Sequence, residues 1–157
     1  MYDKISILIY LIFTFIFYYY FRNSNLTSKK EIIFNYMFFS HFYIYVFNYK
    51  SLRNLSVYFV WILFSLFHLY IYFQIKNEIL LLNNNIKSTY SIYTLRNTLI
   101  LLGLFQVLRF ISAKIQYQEL VCPGRGINAT DLFDNRKPTI IDWICVIIFF
   151  GVDIYFS

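Results

Sequence analysis

The sequence predicts an all-α, polytopic membrane protein: about five transmembrane helices in a single membrane domain, residues 1–157, with one long polar loop. Composition is the first reason. Hydrophobic residues make up 59% of the chain and charged residues 14%, with a mean hydropathy of +0.54; soluble domains run at about 45–50% and about 25%. So little polar surface cannot cover a particle in water, but lipid tails can solvate what remains. Pattern is the second reason. Tracts such as "ISILIYLIFTFIFYYYF" and "WICVIIFFGVDIYF" are apolar on every side, whereas a lipid-facing barrel strand alternates apolar and polar residues. Phe, Tyr and Ile are mediocre helix formers in water. In hydrocarbon, the unmade backbone hydrogen bond costs several kcal/mol and outweighs that preference. Punctuation is the third. The stretch "LVCPGRGINATDLFDNRKPTIID", residues 120–142, holds both prolines and two of the four glycines, which marks where the backbone turns outside the bilayer.

The first span is expected at 5–21. No net-positive leader precedes it and no Ala occurs before Ala113, so it lacks a signal-peptide cleavage site and is expected to be retained. The link "RNSNLTSKKE" leads to a second span at 32–47, and "NYKSLRN" leads to a third at 55–73. The following "QIKNEILLLNNNIKSTYSIY" continues the third helix, breaks at Asn83, Asn84 and Asn85, and runs along the surface. The fourth and fifth spans are expected at 94–113 and 143–156. Several fall short of the ~20 residues that cross a 30 Å core, and their Tyr-rich ends extend them into the interface. Four spans with one surface helix fit the same string.

Between the last two spans, residues 114–142 form the expected aqueous loop, with Arg125, Asp131, Asp134, Arg136 and Lys137 outside the bilayer because charge is cheap only there. "CPGRG" reads as a Pro-Gly turn with a solvated arginine; the anion-nest alternative lacks phosphate-loop spacing. With five spans, Arg22, Lys29, Lys30, Lys76, Lys87 and Arg96 share one side, the matrix or cytoplasmic side by the positive-inside rule. Arg22, Lys29 and Lys30 are the expected contacts to anionic lipid headgroups. The net charge of +6 forms no continuous stripe, which disfavours nucleic acid as a partner.

Few residues could carry chemistry. His41 and His68 lie inside spans and are the candidate ligands for a haem. Counting the 1.5 Å rise from their shared loop sets them about 9 Å and about 20 Å deep, so interhelical hydrogen bonding is the better expectation. Arg109 is the one basic residue well inside a span, and a structural ion pair with Asp142 is expected. Cys122 and Cys145 match no metal spacing and are expected as free thiols, with no metal site and no catalytic residue. The glycosylation patterns at Asn25, Asn54 and Asn128 are what an Asn-rich chain produces by chance.

Aromatic residues reach 24% against four glycines, and closely packed membrane helices normally use small residues. Much of the surface is therefore expected to meet other subunits or ordered lipid, phospholipid or cardiolipin included. The dominance of Phe, Tyr, Ile, Leu, Asn and Lys, and the start "MYDKISILIYLIF", resemble hydrophobic reading frames of AT-rich, ciliate-like mitochondrial genomes. That resemblance implies a lineage-specific, non-enzymatic membrane subunit of a respiratory-chain complex in the mitochondrial inner membrane. Five spans with the longest loop before the last are also similar to the sixth mitochondrial subunit of complex I. The third tract, "LSVYFVWILFSLFHLYIYF", lacks that family's helix glycine, so its coupling role is not carried over. The alternatives are a divergent proton-coupling subunit, which requires a chain of polar groups in mid-helix, and a free-standing transporter, which should show repeats or broken spans.

Overall fold

The computed structural model describes residues 2–82, 90–123, 130–131 and 133–156. The expected break at Asn83 to Asn85, Lys87, Arg125 and Asn128 lie outside them. The described residues form five α-helices and no strand: α1 (Tyr2–Asn23), α2 (Leu26–Phe42), α3 (Leu55–Leu82), α4 (Tyr90–Gln116) and α5 (Ile140–Phe156). Each expected span lies within helix, and the helices run longer than the apolar counts. The fold is all-helical, and α1, α3 and α4 are long and apolar enough to cross a membrane. At 17 residues each, α2 and α5 stand at the short end of the crossing range.

Local chemistry explains the helix ends. Asn25 caps α2, its side chain accepting from Ser28 N at 3.0 Å. Asn54 does the same for α3 through Ser56 N at 3.1 Å. At α5, Thr139 N donates to Asp142 at 2.8 Å while Asp142 N donates back to the Thr139 hydroxyl at 3.3 Å. This is a reciprocal capping box, and Pro138 stops helix from forming upstream. Two of the three glycosylation patterns thus begin on helix caps.

A π-helical turn, Tyr43–Phe47, prolongs α2. The wider turn lets three consecutive residues, Ile44, Tyr45 and Val46, all be buried. Asn48 donates its side-chain amide to the Tyr43 carbonyl at 3.1 Å, which satisfies an acceptor near the helix end.

Helix α4 is the axis of the bundle, packing on α2, α3 and α5, while α1 packs on α2. Hydrogen bonds from Tyr2 to Phe47, Ser6 to Tyr43, Tyr10 to Ser40 and Thr14 to Tyr36 make α1 and α2 antiparallel. Two aromatic-rich clusters fill the interior. One joins Tyr45, Tyr49, Trp61, Phe105 and Phe149 to Leu120, Val121 and Cys122; the other joins Phe17, Phe21, Tyr36, Ile71 and Leu95. The described part of the polar loop is therefore not simply solvated: its apolar start plugs one end of the bundle.

Candidate functional site: a buried histidine and tyrosine network

The buried positions of α1 are Ser6, Tyr10, Thr14, Phe17 and Phe21. Steps of four and three residues place them on one helix face, and the first three bring hydroxyls into the interior. From α2 come Tyr36, Ser40 and His41, from α3 His68, and from α4 Thr98, all buried. Tyr10 shares a hydrogen bond with Ser40 at 2.7 Å, and Tyr36 one with Thr14 at 2.9 Å. His68 meets Tyr36 at 2.8 Å through Nε2 and Thr98 at 3.0 Å through Nδ1. His41 meets the same Thr98 hydroxyl at 3.1 Å through Nε2 and the Asp153 carboxylate at 2.8 Å through Nδ1.

Proton bookkeeping gives this chain a direction. An ionised Asp153 can only accept, so His41 Nδ1 donates to it. With neutral imidazoles, His41 Nε2 then accepts from Thr98, Thr98 accepts from His68 Nδ1–H, and His68 Nε2 accepts from Tyr36. Four consecutive hydrogen bonds point the same way, from Tyr36 on α2 through α3 and α4, back to α2 and on to α5. Each hydroxyl and imidazole has a lone pair facing one neighbour and a proton facing the next, the arrangement along which a proton can hop.

The two histidines do not lie at separate depths, as counting from their loop implied. They converge on one hydroxyl, because helix stagger and the π-turn shift the depth that a count from the loop assigns. All four ring nitrogens are used within the network, and both rings are buried. That geometry fits interhelical hydrogen bonding and does not fit paired haem ligands, whose iron-facing nitrogens must be free. Among the described residues, no three His, Cys, Asp or Glu side chains converge as a metal would require.

The expected Arg109–Asp142 pair does not form. Arg109 makes a two-pronged contact with Glu119, Nε at 2.7 Å and Nη2 at 2.8 Å. Helix α4 runs on to Gln116, and Tyr117 at φ 55° then turns the chain back, which carries Glu119 alongside Arg109. A left-handed Tyr is uncommon, and nothing in its residue type announces the reversal. Asp142 is fully buried and is held by Arg136 at 2.9 Å, Gln116 at 3.1 Å, Val121 N at 3.3 Å and Thr139. Arg109 holds the Glu119 carboxyl below the usual carboxylate range by hydrogen bonding.

The rest of the loop end is similarly paired. Asp134 meets Lys50 at 3.0 Å and Arg53 at 2.7 Å. Asp131 accepts from Phe133 N at 3.0 Å, Asp134 N at 2.9 Å and the Tyr49 hydroxyl. Burial, with Asp131 beside it, pushes the Tyr49 hydroxyl up. Cys122 and Cys145 are free and buried; burial pushes the Cys122 thiol up to about 12, which suppresses thiolate chemistry.

At the other end, Arg22 and Lys29 line one polar pocket, and Lys29 stands 5.1 Å over the Phe21 ring. Lys30, the third expected headgroup contact, does not line that pocket.

No family model, curated protein or solved structure matches the chain.

Proposed function

We propose that the protein is a structural, non-catalytic membrane subunit of a larger helical assembly, a respiratory-chain complex of the mitochondrial inner membrane. The observation that carries this reading is the outer surface. Phe15 and Tyr19 on α1, Phe38 on α2, Leu63 and Phe73 on α3, and Phe110 on α4 are all more than 60% exposed, and the apolar windows of α1, α3 and α4 are only 28–33% buried by the chain itself. Such a face requires lipid or neighbouring helices. Gly103 and Gly151 support neighbours: a Cβ at either meets nothing within 4 Å, so neither serves an internal contact. The composition shared with AT-rich mitochondrial reading frames supports the compartment.

The test is mass spectrometry of membrane complexes resolved on a native gel after mild detergent extraction. Peptides from residues 119–136 are expected to peak with one respiratory complex at constant stoichiometry. Migration in a small band alone, under conditions that keep the complexes intact, rejects the reading.

The directional network favours a second reading, in which the chain carries protons within such an assembly. Tyr36, His68, Thr98, His41 and Asp153 form a buried interhelical chain of polar groups, which supports this reading. In vesicles with an internal pH dye, the purified protein should raise proton flux above protein-free vesicles, and His68→Leu and Asp153→Asn should abolish the increase. Flux that is absent, or unchanged in both variants, ends this reading without touching the first.

A further inference from the structure

We propose that the groove between α1 and α3 is a binding site for one anionic phospholipid, with its phosphate between Arg22 and Lys29 and an acyl chain lying along Leu11, Phe15 and Phe67. This rests on the membrane setting of the first reading and not on membership of any particular complex.

Two cavities meet there. The first, about 510 Å³, lies at the end of the bundle opposite the polar loop and is lined by Tyr18, Arg22, Lys29, Tyr70 and Gln74 together with Phe21 and Ile75. The second, about 370 Å³, is an apolar cleft lined by Leu11, Thr14, Phe15, Tyr18, Phe64 and Phe67. Tyr18 lines both, so a polar chamber and an apolar trough lie side by side along α1.

Charge selects the headgroup. Among the described residues, neither Arg22 nor Lys29 forms an ion pair with a carboxylate, although both flank the same chamber. The cation–π contact of Lys29 with Phe21 fixes its stem and leaves ammonium protons for an anion. Gln74 donates to the Tyr70 hydroxyl at 2.6 Å, which leaves the Tyr70 O–H proton available to a phosphate or ester oxygen. A zwitterionic headgroup brings its own cation into this basic chamber and is disfavoured by like charge.

Length selects the tail. Arg22 stands eleven positions after Leu11, which is about 16 Å along a helix at 1.5 Å per residue. That is about half of a 30 Å hydrocarbon core, the reach of an acyl chain in one leaflet. A soluble anion uses only the chamber, and a partner helix uses only the trough. A phospholipid uses both, with the glycerol ester region beside Tyr18.

The test is native mass spectrometry of the full-length protein in mild detergent, exposed to phosphatidylglycerol, phosphatidylcholine or inorganic phosphate. One phosphatidylglycerol should bind in preference to phosphatidylcholine, and millimolar phosphate should not displace it. The double variant Arg22→Gln, Lys29→Gln should weaken that binding by about thirtyfold, from two basic contacts near a membrane surface. Lys76→Gln, which removes a charge over the Tyr72 ring outside the chamber, should change it little. Equal binding of the two lipids, displacement by phosphate, or equal weakening by Lys76→Gln each overturn the proposal. If the double variant fails to keep its helical circular dichroism, the lipid competition on the natural chain decides alone. Resistance of the protein to carbonate extraction from neutral vesicles tests the membrane setting separately.

Discussion

The two ends of the bundle manage charge in opposite ways. At the loop end, Lys50, Arg53, Arg109 and Arg136 each meet a carboxylate, drawn from Glu119, Asp134 and Asp142. At the opposite end Arg22, Lys29 and Lys76 meet aromatic rings or line a pocket, and the nearby Asp153 is directed inward to His41. The difference follows from chain supply. The long connection before α5 returns carboxylates to the bases of α4 and the α2–α3 link, whereas only Ser24 and Asn25 join α1 to α2. Among the described residues, one end is therefore internally neutralised, and the other leaves Arg22 and Lys29 complementary to an external anion.

The sharpest way to break this contrast is Asp142→Ala. It strips the buried partner from Arg136 and opens the cap of α5, and should destabilise the protein by about 3–5 kcal/mol in reversible unfolding in detergent. A loss under about 1 kcal/mol would mean that the loop end is not held by this carboxylate.

Between the ends, His68→Leu should cost about 2 kcal/mol, because Tyr36 and Thr98 lose a partner in the interior. Phe67→Leu beside it serves as the packing control and should leave the Tyr36 and Thr98 bonds intact.

Glu119→Gln should be milder, about 0.5 kcal/mol at neutral pH, since the Arg109 pair is partly exposed. Its pH dependence is diagnostic. The folded carboxyl titrates below its unfolded value, so its contribution is full above about pH 4.3 and fades as pH falls through the folded value. The variant should lack that acidic component in a stability profile.

The smallest effect belongs to the other end. Arg22→Gln with Lys29→Gln should change stability by no more than about 0.5 kcal/mol in neutral detergent. A larger loss there would show that these bases are already neutralised inside the protein and would erase the contrast between the ends.

Several local features were legible from residue type. Unbroken apolar tracts marked the five helices, and Asn25, Asn54 and Thr139 stand where a cap is favoured. The four-residue spacing of Tyr2, Ser6, Tyr10 and Thr14 was also present in the sequence as a signal for a polar seam on α1, although apolar content alone passes over it. Arg109 was recognisable as a residue needing a partner. Its partner was not, because the left-handed turn at Tyr117 decides which carboxylate returns to it.

The sequence by itself determined an all-helical chain apolar enough for a membrane, since hydrocarbon permits backbone only when its hydrogen bonds are closed within a helix; of the five spans expected from it, the structure gives three helices long and apolar enough to cross. It also determined that His41, His68, Arg22 and Lys29 would need partners, since each carries donors that an apolar medium leaves unsatisfied. Only the tertiary structure decided that both histidines share Thr98, that Glu119 and not Asp142 meets Arg109, and that Arg22 and Lys29 flank one chamber. Those outcomes depend on helix stagger and on one backbone reversal, which arise from packing among all five helices and have no local signature in any one of them.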